Sequence, residues 1–239
     1  VTDTLSITLS VTDEGVRDER KIASQNQSYM KIKNKETLVV LSSPSGGGKT
    51  TVCQKLLKKH KDYIRSVSAT TRKRRKGEKD GKDYLFLTEE EFKRKIRKRE
   101  FVEWAWVHGN RYGTLKKFVT KAKRKRKVAL FVLDVQGGMA FRKKYPQSVL
   151  IFLLAPSMEE LKRRLIKRGT ERTEEMGKRL ETALKEIDFW SKYDYVVINK
   201  NLSQTVESVE KIIESERLKS NRFDYAGWKK NKYRMTNVE

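Results

Sequence analysis

The chain has 239 residues, 56 Lys and Arg against 31 Asp and Glu, and a formal net charge of +25. That length buries a sizeable core in one domain with room for a small inserted lobe, and the charge attracts polyanions, nucleotides and nucleic acids among them. No stretch approaches the roughly 18 consecutive apolar residues of a membrane span, the first residues lack a charged-then-apolar signal pattern, and the single cysteine, Cys53, excludes an intrachain disulfide; a cytoplasmic protein is expected.

The first 30 residues carry five acidic and three basic side chains and one short alternation, Leu5, Ile7, Leu9 and Val11, suited to an edge strand or to no order at all. The first clear unit follows. Leu38 to Leu41 reads as a buried strand that runs into Ser43-Pro44-Ser45-Gly46-Gly47-Gly48-Lys49-Thr50, a phosphate-binding loop with serine at the first glycine position. Consecutive glycines let the backbone turn its N–H groups toward an anion, and the helix expected from Lys49 to about Lys59 adds its positive N-terminal end. Lys49 is then placed to reach the β and γ phosphates of a nucleoside triphosphate and Thr50 to bind Mg²⁺. Cys53, four residues on, is expected to be an apolar helix residue.

Further along, Tyr63 to Ala69 reads as a strand, Thr70 to Asp80 as a basic loop and Asp83 to Leu87 as a short strand. Thr88 followed by Glu91 has the capping-box spacing and predicts a helix start. Phe101 to Val107 reads as extended, followed by a His108-Gly109-Asn110 turn. The densest basic run, Lys116 to Lys127, fits a helix with Phe118, Val119 and Ala122 on its apolar side; a solvated helix face is favoured over a dedicated nucleic-acid site, with only non-specific contact to nucleic acid expected. Val128 to Asp134 and Val149 to Leu154 read as buried parallel strands, Ser157 caps a helix to Arg168, Asp194 to Ile198 is the last strand, and a closing helix covers 203–218. Alternating buried strands and helices predict an α/β fold with a parallel sheet, the ligand lying at the carboxyl ends of its strands.

Three segments beyond the loop carry a more specific signal: SVSATTRKRRKGEKDGKDYLF from Ser66, EFVEWAWVHGNRYGT from Glu100, and RLIKRGT from Arg164. Together with the loop they closely resemble the guanylate kinases over roughly residues 36–218. The resemblance implies a parallel-sheet core (36–68 and 125–218), an inserted GMP-binding lobe (about 69–124), a helical lid (about 164–180), an N-terminal extension (1–35) and a basic C-terminal tail (219–239). It implies transfer of the γ-phosphoryl group of ATP to GMP, and to dGMP, with Mg²⁺, in purine nucleotide metabolism.

By the same resemblance ATP lies on Ser43 to Thr51 with Asn199 at the adenine-side loop, and Arg72, Arg75, Tyr84 and Tyr112, with Glu78, hold the acceptor phosphate. Glu103 with Ser68 and Thr114 is expected to select guanine, whose N1–H and 2-amino group are donors and whose O6 is an acceptor. Asp134 lies beside the acceptor, and Arg164, Arg168 and Arg179 close over the transferring group. Three departures from the family pattern stand out: Ser43 in the loop, Val132 where the strand often carries a first acid, and Arg74 and Lys76 where prolines are expected. An interaction module without catalysis and a basic nucleic-acid-binding protein on the same scaffold are the competing readings, and the intact Lys49-Thr50 pair weighs against the first.

Overall fold

A computed structural model describes residues 35–107, 109–168 and 173–229. The alternation at residues 5–11, His108, Gly169, Thr170 and Tyr233 lie outside the described residues, as do the side chains of Arg168 and Arg179. Residues 34–223 form one compact unit; residues 224–229 belong to a separate one, where Tyr225 and Trp228 stack at 5.7 Å.

The strands β1 (Thr37–Ser42), β2 (Tyr63–Arg65), β7 (Val128–Val132), β8 (Val149–Leu154) and β9 (Tyr195–Ile198) form an all-parallel sheet in the order β2-β7-β1-β8-β9. Every residue of β1 is buried, as a central strand covered on both faces requires. Its side chains alternate between two layers. Val39 and Leu41 pack with Val52, Cys53 and Leu56 of α1 (Lys49–Lys59) and with Val206, Val209 and Ile213 of the closing helix Leu202–Arg217. Leu38 and Val40 pack on the opposite face, against Val119 and Ala122 of the helix Lys116–Lys125 and Val135 and Phe141 of the helix Val135–Lys144. Burial pushes the Cys53 thiol up to about 11, so it serves as an apolar residue.

A second, four-stranded sheet makes the small lobe. Its order is β4-β3-β6-β5, from β3 (Ala69–Thr70), β4 (Leu85–Phe86), β5 (Phe101–Val107) and β6 (Asn110–Leu115). The helix α2 (Glu89–Arg97) covers it through Phe92 and Ile96. Thr88 and Glu91 make the expected reciprocal capping box.

One expectation is corrected. The strand read over Tyr63–Ala69 is two strands in different sheets: Ser66 N–H still donates to Leu130 O at 2.9 Å, whereas Ser68 O already accepts from Leu85 N–H at 2.9 Å, so residues 66–68 carry the chain from core to lobe. Lys116–Lys125, hereafter α3, seats Val119 and Ala122 in the core. The compact unit extends to Phe223. Arg222 is buried and donates through Nη2 to Gln147 O (2.6 Å), while its carbonyl accepts from Lys35 N–H (2.9 Å).

Three helices complete the set that positions the site. The helix Val135–Lys144, hereafter α4, was not among the sequence expectations; Asp134 caps it by accepting from Gly137 N–H at 2.7 Å. After β8 come α5 (Met158–Arg168), with Ser157 Oγ accepting from Glu160 N–H at 3.2 Å as expected, and α6 (Thr173–Ile187).

Candidate active site

The loop 43–50 leaves β1 at its carboxyl end, beside the point where the sheet order reverses between β7 and β8, the place where open α/β sheets bind ligands. Its glycines are dictated by space as well as torsion. Gly48 caps α1 at φ 93°, and a Cβ there would collide with the Asn199 amide. At Gly47 a Cβ would collide with the Ser43 side chain. Ser43 is not among the described residues with positive φ, so serine is accommodated without strain where the motif has glycine. It is fully used: its Oγ donates to Pro44 O (2.8 Å) and accepts from Lys49 Nζ (3.1 Å), which also donates to Ser43 O (2.7 Å).

The loop is tied to its surroundings at two points absent from the sequence reading. Asn199 is buried; its Nδ2 donates to Gly47 O (2.9 Å) and its Oδ1 accepts from Thr205 Oγ1 (3.0 Å). Its side chain is therefore committed to shaping the loop. Arg164 continues the chain of contacts, donating through Nη2 to Asn199 O (2.8 Å) and through Nε to Glu160 Oε1 (2.7 Å). Arg163 and Arg164 together hold the Glu160 carboxyl down to about 2. The second tie is Glu186 of α6, whose Oε2 accepts from Ser45 N–H at 3.2 Å. No motif marks it; an acid on an amphipathic helix reads as solvated until the fold brings it to the loop.

Removing the Asn199 amide tests the first tie. Asn199→Ala is expected to cost about 1–3 kcal/mol of stability and to raise KM for a nucleoside triphosphate while leaving acceptor affinity unchanged. Asn199→Asp, which sets a carboxylate against the Gly47 carbonyl, is expected to be no better. Chemical denaturation and initial-rate kinetics measure both.

Across from the loop, β5 and β6 form the other wall. One cavity of about 310 Å³ is lined by Ser43 and Ser45 to Thr50 on one side and by Ser68, Tyr84, Glu103, Tyr112 and Asp134 on the other, with Val132, Gly137 and Glu186 between. Pro44, Thr51, Arg72, Arg75, Glu78, Thr114, Arg164 and Asn199 are not part of that lining. Thr114 lies across from Glu103 in the β5–β6 register, and its Oγ1 is buried without a hydrogen-bond partner among the described residues. Burial raises the Glu103 carboxyl from its ordinary 4.5 to about 7; the Thr114 side chain opposes this, and the negative charge of Asp134 adds to it. A carboxylate facing the cavity thus stands beside a buried hydroxyl with spare hydrogen-bonding capacity.

Arg72 stands just behind Tyr84. Its guanidinium lies 5.4 Å from the Tyr84 ring and 5.8 Å from that of Phe86, donates through Nη2 to Glu78 Oε1 (2.7 Å), and Tyr84 meets Tyr112 edge-on at 5.9 Å. Glu78 Oε2 also accepts from Arg75 N–H at 2.8 Å. Arg75 itself is exposed.

The guanylate kinase family model matches residues 35–216. The chain belongs to the guanylate kinase family. It is 47% identical over 193 residues to a guanylate kinase of Caldanaerobacter subterraneus, covering 81% of this chain and 94% of that one. It is 43% identical over 205 residues to one of Thermotoga maritima, covering 82% and 99%. A crystal structure of guanylate kinase from Anaplasma phagocytophilum superposes with a TM-score of 0.69 at 37% identity, over 82% of this chain and 93% of that one.

The three departures from the guanylate kinase sequence pattern each have a local physical account. Ser43 occupies a conformation open to any residue. Val132 leaves an apolar patch in the cleft, with Asp134 as the acid whose charge bears on Glu103. Where prolines would stiffen the arginine loop, Glu78 clamps it by binding the Arg72 side chain and the Arg75 backbone at once.

Proposed function

We propose that this chain transfers the γ-phosphoryl group of ATP to GMP, giving ADP and GDP, as a step of purine nucleotide metabolism in the cytoplasm. The observation that carries the reading is the shared cavity, with the phosphate loop on one wall and the Glu103 carboxyl on the other. No helix among the described residues is long and apolar enough to cross a membrane.

In this reading the loop N–H groups and the Nζ of Lys49 hold the β and γ phosphates, and Lys49 exchanges its bonds to Ser43 for bonds to the nucleotide. Arg72 and Arg75, with the hydroxyls of Tyr84 and Tyr112, hold the GMP phosphate, and Glu78 keeps Arg72 in place. Ionised Glu103 accepts from guanine N1–H and the 2-amino group, and the Ser68 and Thr114 hydroxyls complete the base site. Adenine, lacking those donors, leaves buried polar groups unpaired. Arg164, Arg168 and Arg179 supply positive charge as the lid closes.

No group of three or more His, Cys, Asp or Glu suited to a metal exists among the described residues. Thr50, in the cavity lining at the end of the phosphate loop, is the residue that would hold Mg²⁺ together with the nucleotide's own phosphates, the usual arrangement for this ion. When bound, Mg²⁺ neutralises charge developing on the transferring group.

A coupled assay of ADP release with ATP and each of GMP, dGMP, AMP, CMP and UMP tests the proposal. Turnover with GMP and dGMP alone is expected; turnover with none overturns it in favour of a binding module.

A further inference from the structure

Between residues 93 and 127 the chain carries fifteen Lys and Arg against two Glu, a net +13 and more than half of the whole chain's +25. Both acids are spoken for. Glu103 lines the cleft, and Glu100 accepts from Lys95 Nζ at 2.7 Å. Glu100 is also where the basic elements meet: Lys95, Lys98 and Lys117 all lower its carboxyl, after the direct bond from Lys95. The C-terminal end of α2 and the start of α3 therefore adjoin, and Phe118 of α3 packs against the α2 cluster as well as the core. Lys93, Arg94, Arg97 and Lys98 on the first element and Lys117, Lys121, Arg124 and Lys125 on the second are exposed.

The other end of α2 reaches two aromatic rings. Successive residues of β5 point to opposite faces, and Glu103, Ala105 and Val107 face the cleft, so Trp104 and Trp106 face away from it. They are 44% and 55% exposed, which is uncommon for two large apolar rings on one strand. Arg111 lies against both, 5.2 Å and 4.8 Å from the ring centroids, and is held there by Glu89 of α2 at 3.0 Å. The first turn of α2, beside these rings, carries Glu89, Glu90 and Glu91, so the rigid, exposed aromatic pair and the cations of the later turns of α2 and of α3 are separate parts of one outer face. Simple solvation of the basic helices accounts for the lysines and leaves the tryptophans unexplained.

We propose that this outer face binds single-stranded nucleic acid, with Trp104 and Trp106 stacking on bases and the exposed cations of α2 and α3 following the phosphate backbone. Aromatic platforms beside a basic track are the recurring chemistry of such sites, tolerant of sequence because every base offers a π face. Cations and indoles also suit an anionic membrane interface, so vesicle binding is one of the outcomes that decide the test. The surface lies on the face of the lobe sheet opposite the cleft, so substrates and nucleic acid bind together.

Fluorescence anisotropy with the full chain and labelled 20-nucleotide oligo(U) and oligo(dT) tests this. Expected are binding by both oligomers, a slope of log K against log salt of about −3 or steeper, affinity at least tenfold weaker for a duplex of equal length, and no displacement by saturating ATP or GMP. The double variant Trp104→Ala/Trp106→Ala is expected to weaken binding by tenfold or more with the salt slope kept, whereas Lys121→Gln/Arg124→Gln/Lys125→Gln reduces the slope and leaves kcat/KM for GMP within twofold. Circular dichroism melts report whether the tryptophan variant is folded, and Trp106→Ala alone, with the more exposed ring, keeps the test open if the double variant is not. Absence of binding, equal affinity for duplex or for anionic phosphatidylglycerol vesicles, displacement by GMP, or indifference of a folded tryptophan variant each overturns the proposal.

Discussion

Replacing Lys49 by alanine is expected to lower kcat about 10³-fold, some 4 kcal/mol of transition-state stabilisation, while the affinity for GMP stays within about twofold. Lys49 sits on the donor wall of the cleft, seven positions after β1 ends, and its amine is parked on Ser43 O and Oγ. Those bonds keep a partly buried ammonium satisfied and aim its stem into the loop, so the amine has a short path to the phosphates. Their loss costs about 1 kcal/mol of stability, too little to unfold the protein. A fall in turnover therefore reads as lost chemistry. Single-turnover kinetics with separate titration of GMP checks it; a variant with turnover within tenfold of the parent contradicts the assignment.

The second large effect is expected at Glu103. Glu103→Gln removes the carboxylate proposed to receive two guanine donors and is expected to raise KM for GMP by about 100-fold, from the loss of charge-assisted bonds worth about 1.5–3 kcal/mol. Its pH signature is more telling. With a carboxyl at about 7 in the free protein, GMP binding must expel a proton below neutrality. Affinity is expected to weaken about tenfold per unit as pH falls below 7; the Gln variant retains only the titration of the GMP phosphate.

Stability moves the opposite way. A carboxyl raised from 4.5 to about 7 favours the folded state most at low pH, and that contribution is lost as pH rises from 4.5 through 7. The loss is on the order of 3 kcal/mol. Glu103→Gln, which mimics the neutral acid, is thus expected to match the parent near pH 4.5 and to be more stable at pH 8. Denaturant titrations at the two pH values measure it, and equal stability at pH 8 contradicts the burial argument.

The parts of the molecule legible in the sequence are those whose signals are local. The phosphate loop, the Thr88–Glu91 capping box and the apolar side of Lys116–Lys125 are each written in a few neighbouring residues and form as read. Three features were not legible, two of them because their causes lie far away in the chain. Residues 63–69 look like one strand, yet Ser66 and Ser68 bond to Leu130 and Leu85 in different sheets. The helix Val135–Lys144 contains Gly137 and Gly138, which lower helix propensity; it is fixed by the Asp134 cap and by burial of Val135 and Phe141. At the site, the residue types facing the cleft were readable from the family resemblance, whereas the ties of Asn199 to Gly47 and of Glu186 to Ser45 span 152 and 141 positions and leave no mark on local pattern.

The contact between Glu186 and the Ser45 amide has a consequence for how the nucleotide enters. The loop's N–H groups are built to receive negative oxygen, and α6 supplies one from within the protein. An arriving phosphate competes with this internal anion for the same donor, so loading the loop is an exchange of one negative group for another. The carboxylate so released sits on α6, in the segment that also carries Arg179. Holding α6 against the loop and loading the loop therefore draw on the same backbone N–H.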